Sequence, residues 1–218
     1  MYFKNREEAG TKLVPKLSKY KTDNCAVVAL TPGAVLVGSQ ISERLHANLM
    51  LILSENIKIP GEPEPFAGIT SDNSITYNSF YSIGEIEEFD LDYYPYIEME
   101  RMNKLHNLHL LLGKTGEIKK DRLRHHHVIL VSDGLNNGFS LSVATNYLKT
   151  INYKKLIVVS SFATPEAYDK MRLVADDAVC LNLVDNYLGV NHYYDDNAIP
   201  EIKDLLELSD NIAMRWRD

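Results

Sequence analysis

Residues 128–140, VILVSDGLNNGFS, constrain this chain more than any other stretch. Val128 to Val131 are apolar without alternation, which fits a strand buried on both faces inside a parallel sheet. The chain then turns through Ser132, Asp133, Gly134, Leu135, Asn136, Asn137 and Gly138. It enters a helix at about Phe139 and Ser140. A strand whose loop opens onto a helix presents backbone N–H groups and the positive end of a helix dipole, and that combination binds phosphate. Asp133, at the strand tip, adds a carboxylate that can hold ribose hydroxyls or act through a metal. The stretch therefore points to a phosphorylated sugar rather than a bare anion.

The rest of the chain repeats the strand-then-helix pattern. Residues 3–20 read as a helix with Leu13, Val14 and Leu17 on one face. Cys25 to Leu30 is a short apolar strand ending in the turn Thr31-Pro32-Gly33. A helix over 34–45 and a strand over 49–53 follow. After the central feature come a helix at about 139–149, a strand at 155–161, a helix at 165–174, a strand at 178–182 and a terminal helix over 200–214. Strands alternating with helices imply an α/β fold with a parallel sheet of about five strands flanked by helices. Residues 57–81 differ, being rich in Pro, Gly, Glu and Ser, with a hairpin turn at Ser71-Asp72-Asn73. Residues 86–112 read as largely helical, interrupted near Tyr94-Pro95. The expected organisation is one domain over 1–218 with a small hood inserted at about 57–82.

Composition narrows the partners. The net charge of -7 argues against nucleic acid, whose affinity rests on clustered Lys and Arg, although residues 114–124 hold five basic side chains. Cys25 and Cys180 both sit in apolar, strand-like settings, which suits core thiols in a reducing compartment. The opening MYFKNREEAG is charged throughout and lacks a signal-peptide core, and no apolar run approaches the ~20 residues that span a bilayer. A soluble, cytoplasmic protein is expected. His125-His126-His127 does not suggest a metal site, because consecutive strand residues alternate faces. Tyr187, Tyr193 and Tyr194 are expected to pack rather than to stack on a base. No G-x-G-x-x-G follows any strand, which disfavours a dehydrogenase-like nucleotide domain.

In open α/β sheets ligands sit at the carboxyl ends of the strands. Three loops lie there: Thr31-Pro32-Gly33-Ala34, Ser54-Glu55-Asn56, and 132–140. Together with Phe3-Lys4-Asn5-Arg6-Glu7-Glu8-Ala9-Gly10, Pro60-Gly61-Glu62-Pro63-Glu64 with Gly68, Ala163-Thr164-Pro165-Glu166-Ala167 and Tyr187-Leu188-Gly189-Val190, they give an ordered set of landmarks. The chain resembles the type I phosphoribosyltransferases, in particular the bacterial branch whose N-terminal helix reads F-x-x-R-x-x-A-G. The resemblance runs over about 3–196. It implies the type I α/β fold and hood, phosphoribosyl pyrophosphate (PRPP) as ligand with Mg²⁺ as cofactor, a nucleobase as acceptor, and a homodimer. It assigns PRPP and phosphate binding to Ser132 through Ser140, the catalytic carboxylate to Asp133, and the pyrophosphate loop to Thr31, Pro32, Gly33 and Ala34 with Asn56. No side chain is singled out as a direct metal ligand.

The resemblance also shows what has changed. Where the family ends the strand with two acids, this chain has Ser132-Asp133. Asn137 replaces a Thr, Thr31-Pro32-Gly33-Ala34 lacks the usual Arg, and Glu55-Asn56 stands for Arg-Lys. Loss of one preorganised donor costs about 10²–10³ in rate. Two readings follow. One is an active transferase that releases pyrophosphate. The other is a catalytically silent relative that binds a ribose 5-phosphate, a nucleotide or a protein as a regulator.

Overall fold

The computed structural model describes residues 2–113 and 116–214. Lys114 of the basic cluster lies outside them. The first elements are α1 (Arg6–Leu13), a 3₁₀ helix (Val14–Tyr20), β1 (Cys25–Ala29), α2 (Pro32–Leu45) and β2 (Asn48–Leu51). Next come β3 (Ser54–Ile57), β4 (Ala67–Thr70), β5 (Ile75–Tyr77), α3 (Ile83–Asp92) and α4 (Tyr94–Leu112). The last are β6 (His127–Ser132), α5 (Phe139–Leu148), β7 (Lys155–Ala163), α6 (Pro165–Val174), β8 (Asp177–Leu183) and α7 (Ile202–Met214). No helix among the described residues is long and apolar enough to cross a membrane.

The chain packs as two compact units. One holds the residues up to Ile52, Ile118–Gly138 and the chain from Thr150 onward, and the other holds Leu53–Glu117 with Phe139–Lys149. The part outside the parallel sheet is thus larger than the expected 57–82, because α3, α4 and α5 complete its core.

In the first unit five strands run parallel in the order β2-β1-β6-β7-β8. All of β1, and β6 from Val128 onward, is buried, as a sheet covered on both faces requires. Helix α2 packs on β1, β2 and β6, and α6 packs on β7 and β8. Thr31 caps α2 by accepting the Ala34 N–H, with Pro32 in the first turn where its missing N–H costs nothing. The helix expected over 3–20 is shorter. Phe3 pairs with Tyr194 as an isolated bridge, and the helix tightens to 3₁₀ at Val14-Pro15, since Pro15 cannot donate to the α-helical ladder.

The second unit is an antiparallel sheet in the order β3-β4-β5. Its core gathers Ile57, Phe66, Ala67, Tyr81 and Ile97. Ser54-Glu55-Asn56, expected as a loop, is strand: Ser54 pairs with Thr70, Glu55 with Ile69 and Asn56 with Gly68. The segment has no apolar alternation to announce it, because an edge strand leaves polar side chains in water. The hairpin turn at 71–73 holds Asn73 at φ 65°, which asparagine tolerates well. The break between α3 and α4 falls at Tyr93, just before Tyr94-Pro95, and α3 opens on a Ser82–Glu85 capping box.

Burial pushes the Cys25 thiol up to about 11, with Asp23 adding to the shift, and burial pushes Cys180 up to about 11 as well. Neither is positioned as a nucleophile. At pH 8 both should react with a thiol reagent on the order of 100-fold more slowly in the native protein than after unfolding. A fast-reacting thiol in the native protein would contradict this packing.

Candidate functional site

The loop after β6 begins on a buried carboxylate. Asp133 is 3% exposed, and both of its oxygens are engaged. Oδ2 accepts from Arg6 Nε at 2.8 Å and Oδ1 accepts from Thr31 Oγ1 at 2.7 Å. Arg6, 2% exposed, comes from the first turn of α1. Its remaining nitrogens donate to Asn191 Oδ1 at 2.9 Å and Asn197 Oδ1 at 3.4 Å. Its guanidinium lies 4.6 Å from the ring centre of Tyr194, whose hydroxyl donates to the Asp133 carbonyl at 2.7 Å. A pair this deeply buried needs such a shell, because each desolvated charge must have its hydrogen-bonding capacity met.

The N-terminal segment delivers Arg6 to this place. The Phe3 N–H donates to Tyr193 O and the Asp195 N–H to Phe3 O, fastening the segment to 193–195. Phe3, Ala9, Phe162, Tyr193 and Tyr194 form one buried cluster. Tyr193 and Tyr194 therefore pack, with half-buried Tyr187 against them. Burial, reinforced by the nearby Asp133 charge, drives the Tyr187 hydroxyl far above the ordinary tyrosine range; burial does the same to Tyr194.

Thr31, Pro32, Gly33 and Ala34 form the N-terminus of α2 rather than an open loop. Pro32 has no N–H, and the Ala34 N–H is taken by Thr31 Oγ1 at 3.0 Å. Gly33 lies so close to the Asp133 carboxylate and Arg6 Nε that a Cβ there would overlap them. Asn56 is exposed on β3, and Glu55 beside it pairs loosely with Lys104 at 3.8 Å.

The loop after β6 divides in two. Ser132 Oγ holds the Gly134 N–H at 3.1 Å, and the Leu135 N–H donates to Phe162 O at 3.0 Å, so these two amides serve the fold. Beyond them the carbonyls are gathered on one side. Leu135 O accepts from the Thr164 N–H, Asn136 O from Thr164 Oγ1, and Asn137 O from Lys170 Nζ at 2.6 Å. No peptide in the described chain is cis. In a trans peptide the N–H points opposite to the preceding C=O. The amides of Asn136, Asn137 and Gly138 are therefore turned away from α6, together. Gly138 completes the turn at φ 70°, a conformation glycine adopts without strain. Phe139 and Ser140 open α5, and the Phe139 ring packs against Gly68.

These donors do not fit a protein-held Mg²⁺. The carboxylate at the tip of β6, Asp133, already faces a guanidinium, whose positive charge repels a dication, and no cluster of three acidic, His or Cys ligands occurs among the described residues.

Arg6, Asn191, Asn197 and Tyr194 surround Asp133, and the sequence reading assigns none of them to the site. A signal was present for one of them. Arg6, Ala9 and Leu13 share a helix face at spacings of three and four, so an arginine stood in line with core residues.

No family model matches the sequence, and no curated protein does. Among solved structures the chain is similar to TT1426 from Thermus thermophilus, with 23% identity, 99% of each chain covered and a TM-score of 0.71. Looser likenesses are to the purine phosphoribosyltransferase from Pyrococcus horikoshii (15% identity, 84% of each chain, TM-score 0.46) and to a hypothetical protein from Neisseria gonorrhoeae with bound ppGpp (11% identity, 97% of this chain and 98% of that one, TM-score 0.48). The parallel order β2-β1-β6-β7-β8 with a small antiparallel sheet inserted after β2 is consistent with the type I phosphoribosyltransferase fold. The end-to-end likeness to the Thermus protein is a likeness of fold.

Removing Arg6 alone leaves a buried, unpaired carboxylate. Arg6→Met should lower stability by about 3–5 kcal/mol in urea unfolding, and Asp133→Asn added to it should recover a large part of that loss. Additive losses in the double variant would show that the pair is not coupled.

Proposed function

We propose that this protein binds a 5′-phosphorylated ribose ligand on a phosphoribosyltransferase scaffold and acts by binding rather than by efficient phosphoribosyl transfer. The observation that carries the reading is the engagement of both Asp133 carboxylate oxygens by Arg6 and Thr31. A carboxylate so held is not offered to a ribose diol or to a metal without breaking a buried ion pair. The turn at 134–138 supplies the phosphate end, since backbone donors at a strand tip suit a phosphate whatever the side chains are. The pyrophosphate end has no counterpart: at the start of α2 one residue lacks an N–H and another N–H is internally bonded. Ligands that present a single 5′-phosphate, such as ribose 5-phosphate or a nucleoside monophosphate, fit this balance better than PRPP.

Calorimetry with ribose 5-phosphate, nucleoside 5′-monophosphates and PRPP, each with and without Mg²⁺, tests the proposal. Binding is expected to require the 5′-phosphate and to favour PRPP over ribose 5-phosphate by less than about 10-fold. With PRPP, Mg²⁺ and a panel of purine and pyrimidine bases, no pyrophosphate release above background is expected. Tight Mg²⁺-dependent PRPP binding accompanied by pyrophosphate release would establish the transferase reading instead.

A further inference from the structure

The second unit has a cavity of its own, about 350 Å³, lined by residues of β3, β4, β5, α3 and α4. That is the lower end of the ~300–1,000 Å³ typical of small-molecule pockets, which are mostly apolar with a few placed polar groups. This cavity is built that way. Phe66, Ile75 and Ile97 give it apolar wall, and Phe66 is fully buried. Two more rings, Tyr77 and Tyr94, line it at 43% and 63% exposure and so border its opening. The Tyr77 ring meets the Phe66 ring edge to face, with centres 5.3 Å apart.

The charges around it indicate the occupant. Asp90 is half-buried and lines the cavity. Its Oδ2 accepts from the Tyr77 hydroxyl at 3.0 Å, while Oδ1 has no partner among the described residues. Burial, and after it the Asp90 bond, raises the Tyr77 hydroxyl above the ordinary tyrosine range, so it remains a donor. Arg101 also lines the cavity, but its charge is met. Nη1 donates to both Glu98 oxygens, at 3.0 and 3.3 Å, and Nε donates to Asn73 Oδ1 at 3.0 Å. The charge left without a counterpart is therefore a carboxylate. Its surroundings agree, since residues 83–100 contain seven carboxylates and no Lys or Arg. A carboxylate beside aromatic faces is what an organic cation requires. The carboxylate supplies the counter-charge, the ring faces attract the cation, and the apolar wall takes the rest of the molecule.

We propose that this cavity binds a small organic cation, an ammonium carried on an aromatic or branched apolar body. The body lies against Phe66, Ile75 and Ile97. The ammonium meets Asp90 at the opening, beside the Tyr77 and Tyr94 rings. The site needs none of the residues around Asp133, since every residue lining it belongs to the second unit.

Titration of the full chain with four probes of similar size tests this: 2-phenylethylamine, benzyltrimethylammonium, the neutral 2-phenylethanol and the anionic phenylacetate. Both cations are expected to bind with Kd below about 1 mM, and at least about 10-fold more tightly than the alcohol or the acid. Asp90→Asn still accepts from Tyr77 but carries no charge, and it is expected to weaken both cations about 10-fold while leaving the alcohol unchanged. Tyr94→Leu, which keeps an apolar wall and removes a ring face, is expected to weaken the cations about 3-fold. Both positions are at least partly exposed, so the urea unfolding midpoint is expected to stay at the wild-type value in each variant. Phenylacetate binding more tightly than the cations would give the cavity to an anion on Arg101 and overturn the proposal. Equal binding of the alcohol, no binding of any probe at about 10 mM, or cation affinities that Asp90→Asn leaves unchanged would overturn it too.

Discussion

A buried pair of opposite charges, Arg6 with Asp133, organises the sheet-bearing unit. Neither partner is stable alone in that setting, since an uncompensated charge away from water is costly. Everything around them is arranged to meet their bonding capacity: Thr31 from the start of α2, Asn191 and Asn197 from the segment after β8, and Tyr194 with its ring on one partner and its hydroxyl on the backbone of the other. The pair thereby fixes where α1 lies, how α2 begins and how β6 ends. These are the three places from which a ligand at the carboxyl edge of the sheet would be held.

The loop beyond the pair shows the same economy. Its carbonyls bond to Thr164 and Lys170 on the β7–α6 side, and trans peptide geometry then orients the amides of 136–138 together on the other side. The donors face one way because the acceptors are satisfied the other way. The course of the loop thus depends on Thr164 and Lys170, which lie after it in the chain.

Much of this was legible in the sequence. Strands β1 and β6 announce themselves because strands buried on both faces read as unbroken apolar runs such as Val128–Val131, and the break at Tyr93 does so because Pro95 cannot donate within a helix. Strand β3 was not legible: Ser54-Glu55-Asn56 is polar and on an edge, so nothing in its composition separates it from a loop. The fate of Asp133 was hidden for a different reason. A strand-tip acid reads the same whether it faces solvent or an arginine 127 positions earlier in the chain, and no local pattern encodes a partner that far away. Arg6 itself stood in plain view on a core-facing stripe, where a charged residue asks for a counter-charge.

The fastening of residue 3 to residues 193–195, and of Arg6 to Asn191 and Asn197, carries a consequence for how the protein is made. A nascent chain emerges N-terminal end first, so Arg6 is synthesised long before the segment that completes its surroundings. Contacts of such large sequence separation form late, after the costly closure of a long loop. The tip of β6 is therefore finished only after Asn197 has been translated. Until then the loop after β6 lacks the full shell around the charge pair at its base. Completion of that loop is in this sense a report that synthesis has passed that segment.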